Sequence, residues 1–453
     1  VLVDCGTGES KELLWLAEKG IDVIIADHHR MSDERPPAYA WIHPEMSVAS
    51  PAALARAESA GIEPASPPAA DPGGQTASAA LYAPAGCVMA FKLAQGLWTS
   101  FLGEDDPERL DYFLYDHLDL LSLGILADRV PLVGENRILV WHGLRRLART
   151  RKTGLQSLLR FFRLWPRTGA VTVREASWQI IPLLNAAGRL RQPQWASNLL
   201  LTEDAWESRD CIDELLELNS RRRDAQQKSL DHFERMVLEQ CAVETDPVLL
   251  AIGKDLEPSV TGLAAGALAV KYGKPVFLFV HQGAEAVGSG RGTPEYDLFA
   301  WVETHRDILV KFGGHEGAVG LTVKSEHFKI LRQRFKEAGP ARRLVAETDG
   351  LAEASLPLAE ADDAWWAQFQ QLEPFGTGFP CPLFELTGVE AVRPARPRSQ
   401  KVWLLTAGSR DWLAEGEGPF PSGDGPWTVL ASPTAGRKGE PTFKWIIQSV
   451  ARS

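Results

Sequence analysis

Val1-Leu-Val-Asp-Cys-Gly-Thr-Gly-Glu-Ser-Lys-Glu-Leu-Leu-Trp-Leu-Ala-Glu-Lys-Gly-Ile-Asp-Val-Ile-Ile-Ala-Asp-His-His29 is the stretch that decides the fold. Val1 to Asp4 is a short apolar run closed by a carboxylate, and Ile21 to Ala26 is a longer one closed by Asp27, His28 and His29. Between them Glu9 to Lys19 carries Leu13, Leu14, Leu16 and Ala17 at helical spacing, with Gly20 as a stop. The unit reads as strand, helix, strand. A right-handed crossover makes the two strands parallel, so Asp4 and the Asp-His-His triplet leave the sheet at one edge, where open parallel sheets form ligand sites. Carboxylate with imidazole suits a divalent metal such as Mn, Fe or Zn. A helix cap by Asp27 with two surface histidines explains the triplet alone equally well; the second acidic strand end favours the metal.

Leu118 to Ala127 is another apolar run, and it delivers Asp128 just before Arg129-Val-Pro-Leu132. Spacing does not place Asp128 beside Asp4. A helix-ending aspartate before a turn is the plainer reading.

The chain has 453 residues and a net charge of −11. That length suggests about three domains. Five cysteines, at 5, 87, 211, 241 and 381, show no paired spacing, which argues against a zinc motif or a disulfide framework and for a reducing cytoplasm. No apolar run approaches the roughly 18 residues of a membrane span. Residues 49–85 hold 27 Ala, Pro, Ser or Gly out of 37, the composition of a surface insertion. Residues 205–241 read as one long helix. Pro247 to Ile252 and Pro275 to Val280 read as strands around a small-residue helix, Val260 to Val270. Two glycine-rich segments come next, Gly288-Ser-Gly-Arg-Gly292 and Gly313-Gly-His315. Each alone reads as a turn; both bring backbone N–H groups within reach of an anion, and Arg291 offers a bidentate phosphate contact. Val402-Trp-Leu-Leu405, Trp427-Thr-Val-Leu430 and Phe443-Lys-Trp-Ile-Ile447 are strands of a C-terminal β module compatible with an OB-fold.

Two basic stretches bear on nucleic acid despite the acidic total. Residues 145–167 hold eight Lys or Arg and no acid, with Phe161, Phe162 and Trp165 among them. Arg393, Arg396, Arg398 and Lys401 precede Trp403. Both read either as single-strand-tracking surfaces, by charge and stacking, or as solvated faces with core aromatics. The 15 tryptophans have no explanation in the sequence.

Taken in order, Val3-Asp-Cys-Gly6, Asp27-His-His29 with Pro36-Pro-Ala-Tyr39, Ala127-Asp-Arg-Val-Pro-Leu132 with Gly134-Glu-Asn-Arg137, Pro182-Leu-Leu-Asn-Ala-Ala-Gly-Arg189, Phe312-Gly-Gly-His315 and Leu372-Glu-Pro-Phe-Gly376 resemble the DHH phosphoesterase superfamily, and within it the RecJ-like single-strand-DNA exonucleases. The resemblance implies an α/β fold: a parallel-sheet DHH domain over 1–204, a connecting helix over 205–241, a smaller DHH-associated α/β domain over 242–345 and an OB-fold-like β domain over 346–453. It implies metal-dependent exonuclease action on single-stranded DNA, 5′ to 3′, in recombination and repair, with a single-strand-binding protein or a helicase as partner. By the same resemblance Asp4, His28 and Asp128 hold Mn2+ or Mg2+, Asp27 orients His28, and His29 faces the scissile phosphate. Asn185, Arg189, Ser289, Arg291, Gly313, Gly314 and His315 contact substrate, the last five as part of a lid over the nucleotide.

Two departures from the family pattern temper this. Its upstream Asp-x-Asp motif is absent from these 453 residues, as though an N-terminal segment were missing, so one well-held ion and weak or no activity are expected of this chain. Glu257, in Leu256-Glu-Pro-Ser259, stands where such sequences carry a histidine. A small-nucleotide DHH phosphodiesterase and a catalytically degenerate DHH scaffold are the alternatives; the first lacks a third domain, and the second gives Asp4, His28, His29 and Asp128 no reason to occur together.

Overall fold

A computed structural model describes residues 1–29, 37–44, 84–102, 107–166, 169–254, 260–293, 296–337, 339–340, 352–395, 401–416, 420, 422–436 and 441–452. Almost all of the 49–85 insertion, Glu257, Arg167, Arg396 and Arg398 lie outside the described residues. The chain divides into two compact units, 1–216 with 352–453, and 217–351.

The first unit opens on three short parallel strands in the order β1 (Leu2–Val3), β2 (Ile24–Ala26), β3 (Ala40–Ile42). Helix α1 (Ser10–Glu18) joins the first two. It buries Leu13 against Val23 and Ile25, worth about 1.5–3 kcal/mol for such a side chain, and leaves Leu14 and Trp15 exposed. The second strand is shorter than its apolar run, because Ile21 stays exposed and only Val23 to Ala26 face the interior. Helices α2 (Gly86–Leu102), α3 (Pro107–Asp128), α4 (Gly134–Leu147) and α5 (Thr153–Phe161) come after. A helical turn, Val173–Glu175, then runs through a π-helical segment, Ala176–Ile180, into α6 (Ile181–Arg189) and α7 (Gln194–Leu201).

The basic stretch is less available to a ligand than its composition promises. Arg146 is buried and paired with Asp116, while Lys152 Nζ lies 2.9 Å from Asp119, a fully buried carboxylate that also accepts from Thr150 Oγ1 at 2.6 Å. Charges inside a helical core need such partners, so these two cations knit α3 to α4 and α5. Arg145, Arg149, Arg151, Arg160 and Arg163 remain exposed.

Residues 352–453 complete the first unit. Strands β10 (Phe384–Pro394), β11 (Val402–Ala407), β12 (Arg410–Glu415), β13 (Gly423–Ala435) and β14 (Phe443–Arg452) close into a barrel in the order β10-β11-β12-β14-β13, with β13 returning to β10. The β12–β14 pairing is parallel and the other barrel pairings antiparallel, which is the OB-fold arrangement. β9 (Ala354–Pro357) runs parallel to β10, and α12 (Asp363–Phe369) lies between them in sequence. Trp366, Trp403, Trp412, Trp427 and Trp445 are buried in the barrel core with Trp365 packed against it. Trp403 is therefore a core residue, which removes the stacking reading of that tryptophan, and Arg393 is paired with Asp424. Aromatic packing of this kind adds about 0.5–1.5 kcal/mol per pair beyond burial and accounts for a good part of the tryptophan content.

The second unit holds a five-stranded sheet, β4 (Leu249–Gly253), β5 (Val276–Gln282), β6 (Glu285–Arg291), β8 (Ala318–Lys324) and β7 (Leu309–His315), in that order. The unit boundary falls within α8 (Ala205–Gln240), a single 36-residue helix. Helix α9 (Thr261–Tyr272) packs on β5 and β6, and α10 (Leu298–Glu303) and α11 (Phe328–Glu337) complete the unit.

Candidate metal centre

Parallel pairing of β1 with β2 brings Asp4 and Asp27 to the same sheet edge, and the backbone N–H of Asp4 donates to Ala26 O at 3.0 Å. Asp4 adopts a left-handed backbone (φ 60°), a conformation that costs a non-glycine residue about 1 kcal/mol and is tolerated best by Asn and Asp. It turns the chain sharply after only two strand residues. The third carboxylate arrives differently. Asp128 is the last residue of α3, followed by a left-handed Arg129 (φ 58°), so the apolar run before it is a helix and not a third strand.

The three groups converge on one atom. His28 Nε2 lies 3.1 Å from Asp4 Oδ1 and 3.5 Å from Asp128 Oδ2, yet it is buried and has no hydrogen-bond partner. A buried polar atom without a partner is costly. Two carboxylates of 60% and 41% side-chain exposure beside it supply acceptors around a cation. Ligand atoms of Asp4, Asp27, His28 and His29 all lie within 4.8 Å of one another. This donor set fits a hard or borderline divalent ion.

Asp27 is fully buried and serves His29 rather than the ring of His28. The ring N–H at His29 Nδ1 donates to Asp27 Oδ1 at 2.7 Å, and the backbone N–H groups of His28 (2.8 Å) and His29 (3.3 Å) donate to the same oxygen. Thr7 donates to Oδ2 through Oγ1 (2.8 Å) and its backbone N–H (3.2 Å). Burial pushes the Asp27 pKa up, but these hydrogen bonds from His29, Thr7 and His28 outweigh it and hold the carboxyl well below the usual range. The same hydrogen bond raises the His29 pKa against burial. His29 is 59% exposed, so Nε2 is presented outward with its tautomer fixed by Asp27. The expectation that Asp27 steers the His28 ring is corrected: the only hydrogen bond between them runs through the His28 backbone.

Gly86, the first residue of α2, went unnoticed in the sequence. A Cβ there would come within 2.1 Å of Asp4 Oδ1, so only glycine lets the start of α2 approach that carboxylate. Next to it, burial and then the charges of Asp128 and Asp4 push the Cys87 thiol up to about 12, an inert state. A glycine opening an apolar helix just after Pro84-Ala85 was the one available signal.

The remaining candidate residues lie elsewhere. Asn185 and Arg189 are exposed one turn apart on α6. In the second unit, Ser289 and Arg291 alternate on β6 with Gly288 and Gly290. The Ser289 Oγ accepts from Thr261 Oγ1 at 2.9 Å, and a Cβ on Gly262 would meet the Arg291 guanidinium at 2.7 Å. Arg291 thus lies against the first turn of α9, where burial lowers its pKa. Neither glycine-rich segment is a loop. Gly288 and Gly290 leave room for the rings of Phe279 and Phe277, 2.5 Å and 2.3 Å from where a Cβ would lie. Gly313, Gly314 and His315 end β7, paired with Gly320, Val319 and Ala318. Glycine at 288, 290 and 314 answers to close cross-strand approach, which the sequence reading as freed anion-binding backbone did not anticipate, whereas a Cβ on Gly313 would meet nothing within 4 Å.

The chain is similar to known proteins over most of its length. Residues 1–125 match the DHH family, N-terminal domain, and residues 245–338 the DHHA1 domain. The single-stranded-DNA-specific exonuclease RecJ of Bacillus subtilis (strain 168) is 32% identical over 406 residues, 87% of this chain and 45% of that protein. Crystal structures of RecJ from Thermus thermophilus share the fold: the complex with Mn2+ at TM-score 0.71 and 24% identity, over 100% of this chain and 61% of that one, and the complex with Mg2+ at TM-score 0.61 and 24% identity, over 82% and 56%. The chain spans about half the length of the curated relatives it matches. No helix among the described residues is long and apolar enough to cross a membrane.

Proposed function

We propose, for a chain that carries the DHH family's N-terminal domain and a DHHA1 domain, the function of a metal-dependent phosphodiesterase that removes nucleotides from the 5′ end of single-stranded DNA. The observation that carries this reading is the buried, unpartnered His28 Nε2 between the carboxylates of Asp4 and Asp128. Asp4, His28 and Asp128 would hold Mn2+ or Mg2+, which when bound supplies Lewis acidity and a water ionised near neutral pH. The protein's own groups do the rest. Asp27 keeps the Nδ1 proton on His29, so the exposed ring is held in place to face a phosphate oxygen of the substrate. Cleavage needs no side-chain nucleophile. The proposal extends to action in recombination and repair, in the cytoplasm, beside a single-strand-binding protein or a helicase, with the resemblance to RecJ-like exonucleases as its support. The OB-fold barrel favours this substrate over a small nucleotide, since such barrels bind extended single strands.

Mn2+-dependent digestion of single- and double-stranded oligonucleotides labelled at either end tests the reading. Weak release of label from the 5′ end of single strands, in keeping with a single well-held ion, is expected. Cleavage of dinucleotides alone would assign the small-nucleotide class, and no Mn2+ dependence would remove the metal centre.

Ser289 and Arg291 are the proposed phosphate contacts of the DHHA1 sheet. Arg291→Ala should weaken single-strand binding about tenfold or more, as for loss of a bidentate charge contact of roughly 1–3 kcal/mol, and flatten the logarithmic salt dependence by about 0.7. Arg291→Lys should not restore it, since an ammonium lacks the fork. Fluorescence anisotropy across a salt series reads both.

A further inference from the structure

Asp128 is the last residue of α3, and a five-residue connection, 129–133, separates it from the start of α4. Nothing in such a turn fixes the direction of a helix-ending carboxylate by itself. Here the turn is tied down from two directions. From its own side, Asn136 Nδ2 donates to Pro131 O at 3.0 Å. From the barrel module, Thr377 O accepts the backbone N–H of Leu132 at 2.6 Å. Leu132 is 1% exposed and fills the space over Gly376, where a Cβ would stand 2.7 Å from its Cδ1. One turn into α4, Arg137 Nη2 donates to Leu372 O at 2.6 Å, with its guanidinium 4.2 Å from the centre of the Phe379 ring. The Leu372–Phe379 segment is itself rigid. Gly376 and Phe379 exchange two backbone hydrogen bonds (2.8 and 3.1 Å), Phe379 stacks on Phe375, and Phe375 packs on the barrel core.

We propose that Arg137 and the Leu372–Phe379 segment form a clip through which the C-terminal barrel module positions Asp128 for metal binding, Arg137 being a positioning residue. The proposal rests on the reading of Asp4, His28 and Asp128 as ligands. It explains why Leu372-Glu-Pro-Phe-Gly376 sits where it does: the segment seats the turn behind one carboxylate of the site. Removal of a group that orients a ligand lowers metal affinity by about 10–100-fold, a loss distinct from unfolding.

The experiment is a Mn2+ titration of the full 453-residue chain, reading free Mn2+ by electron paramagnetic resonance, with thermal melting of each metal-free variant. Arg137→Ala should weaken Mn2+ binding about tenfold, the lower end of the range for lost orienting partners. Arg137→Lys, which keeps one donor and the cation over Phe379, should recover most of it. Phe379→Leu, which keeps the bulk and loses the ring face, should fall between the two and serves if Arg137→Ala does not fold. Arg174→Ala is the control. Arg174 also joins the DHH part to the barrel, through Thr434 (3.4 Å) and Glu415 (3.7 Å), but it does not touch the Asp128 turn, so its Mn2+ affinity should match wild type. A folded Arg137→Ala protein with wild-type affinity would overturn the clip alone, as would an equal loss in Arg174→Ala. Absence of Mn2+ binding by the wild type would overturn the metal centre, and the clip with it.

Discussion

His28→Ala is expected to abolish Mn2+ binding, a larger loss than the 10–100-fold typical of losing a group that merely orients a ligand. His28 Nε2 is the atom on which Asp4 and Asp128 converge, and it has no hydrogen bond to lose. Its removal therefore costs the metal-free protein little. Melting with and without Mn2+ separates the two effects. A cation at a hundred times its dissociation constant stabilises the wild type by about 2.7 kcal/mol, and that increment should vanish in His28→Ala while the metal-free melting temperature stays close to wild type. Asp27→Asn should behave differently. Asp27 is fully buried and holds Thr7, His28 and His29 through five hydrogen bonds; an amide can accept only on its oxygen, so some of those donors lose their partner and the fold itself weakens. If His28→Ala retains a Mn2+-dependent shift, Asp4 and Asp128 hold the ion without it and the proposed ligand set is wrong.

Much of the frame of this site was legible, for reasons tied to period and handedness. Two apolar runs joined by one amphipathic helix admit a single chirality, and that alone carried Asp4 and Asp27 to a common edge. The barrel strands announced themselves as short apolar runs between glycine and proline turns, as in Val402 to Leu405, whose burial alternates in the structure. What stayed hidden depends on approach between segments distant in sequence. Lys152 and Arg146 read as surface charge because Asp116 and Asp119, which take them inside, lie about thirty residues earlier on another helix. Gly288 and Gly290 read as flexible backbone because nothing local reveals the Phe279 and Phe277 rings across the strand pair. The pairing of Asp27 with the ring of His29 and not of His28 is a rotamer choice within three consecutive residues, below anything a residue pattern encodes.

Gly86→Ala is the sharpest test of how the site is assembled, because it adds one methyl group and no charge. The new Cβ would lie 2.1 Å from Asp4 Oδ1, 2.5 Å from its carboxyl carbon and 2.7 Å from its Cβ, far inside van der Waals contact. Two responses are open. If α2 retreats from the sheet edge, where it packs on β1 and β2, the strain costs about 1–3 kcal/mol, as overpacking usually does, and the melting temperature falls. If instead Asp4 swings away, the left-handed turn at Asp4 relaxes and its oxygen leaves the 3.1 Å approach to His28. Asp4 is 60% exposed and has open solvent to swing into, so the second response is the cheaper, and Mn2+ affinity should drop on the order of tenfold or more, by analogy with other misplaced ligands. Equal affinity with a lowered melting temperature would show that α2 retreats and Asp4 keeps its place; equal affinity with an unchanged melting temperature would show that Asp4 contributes nothing to holding the ion, and the centre would then reduce to His28 and Asp128.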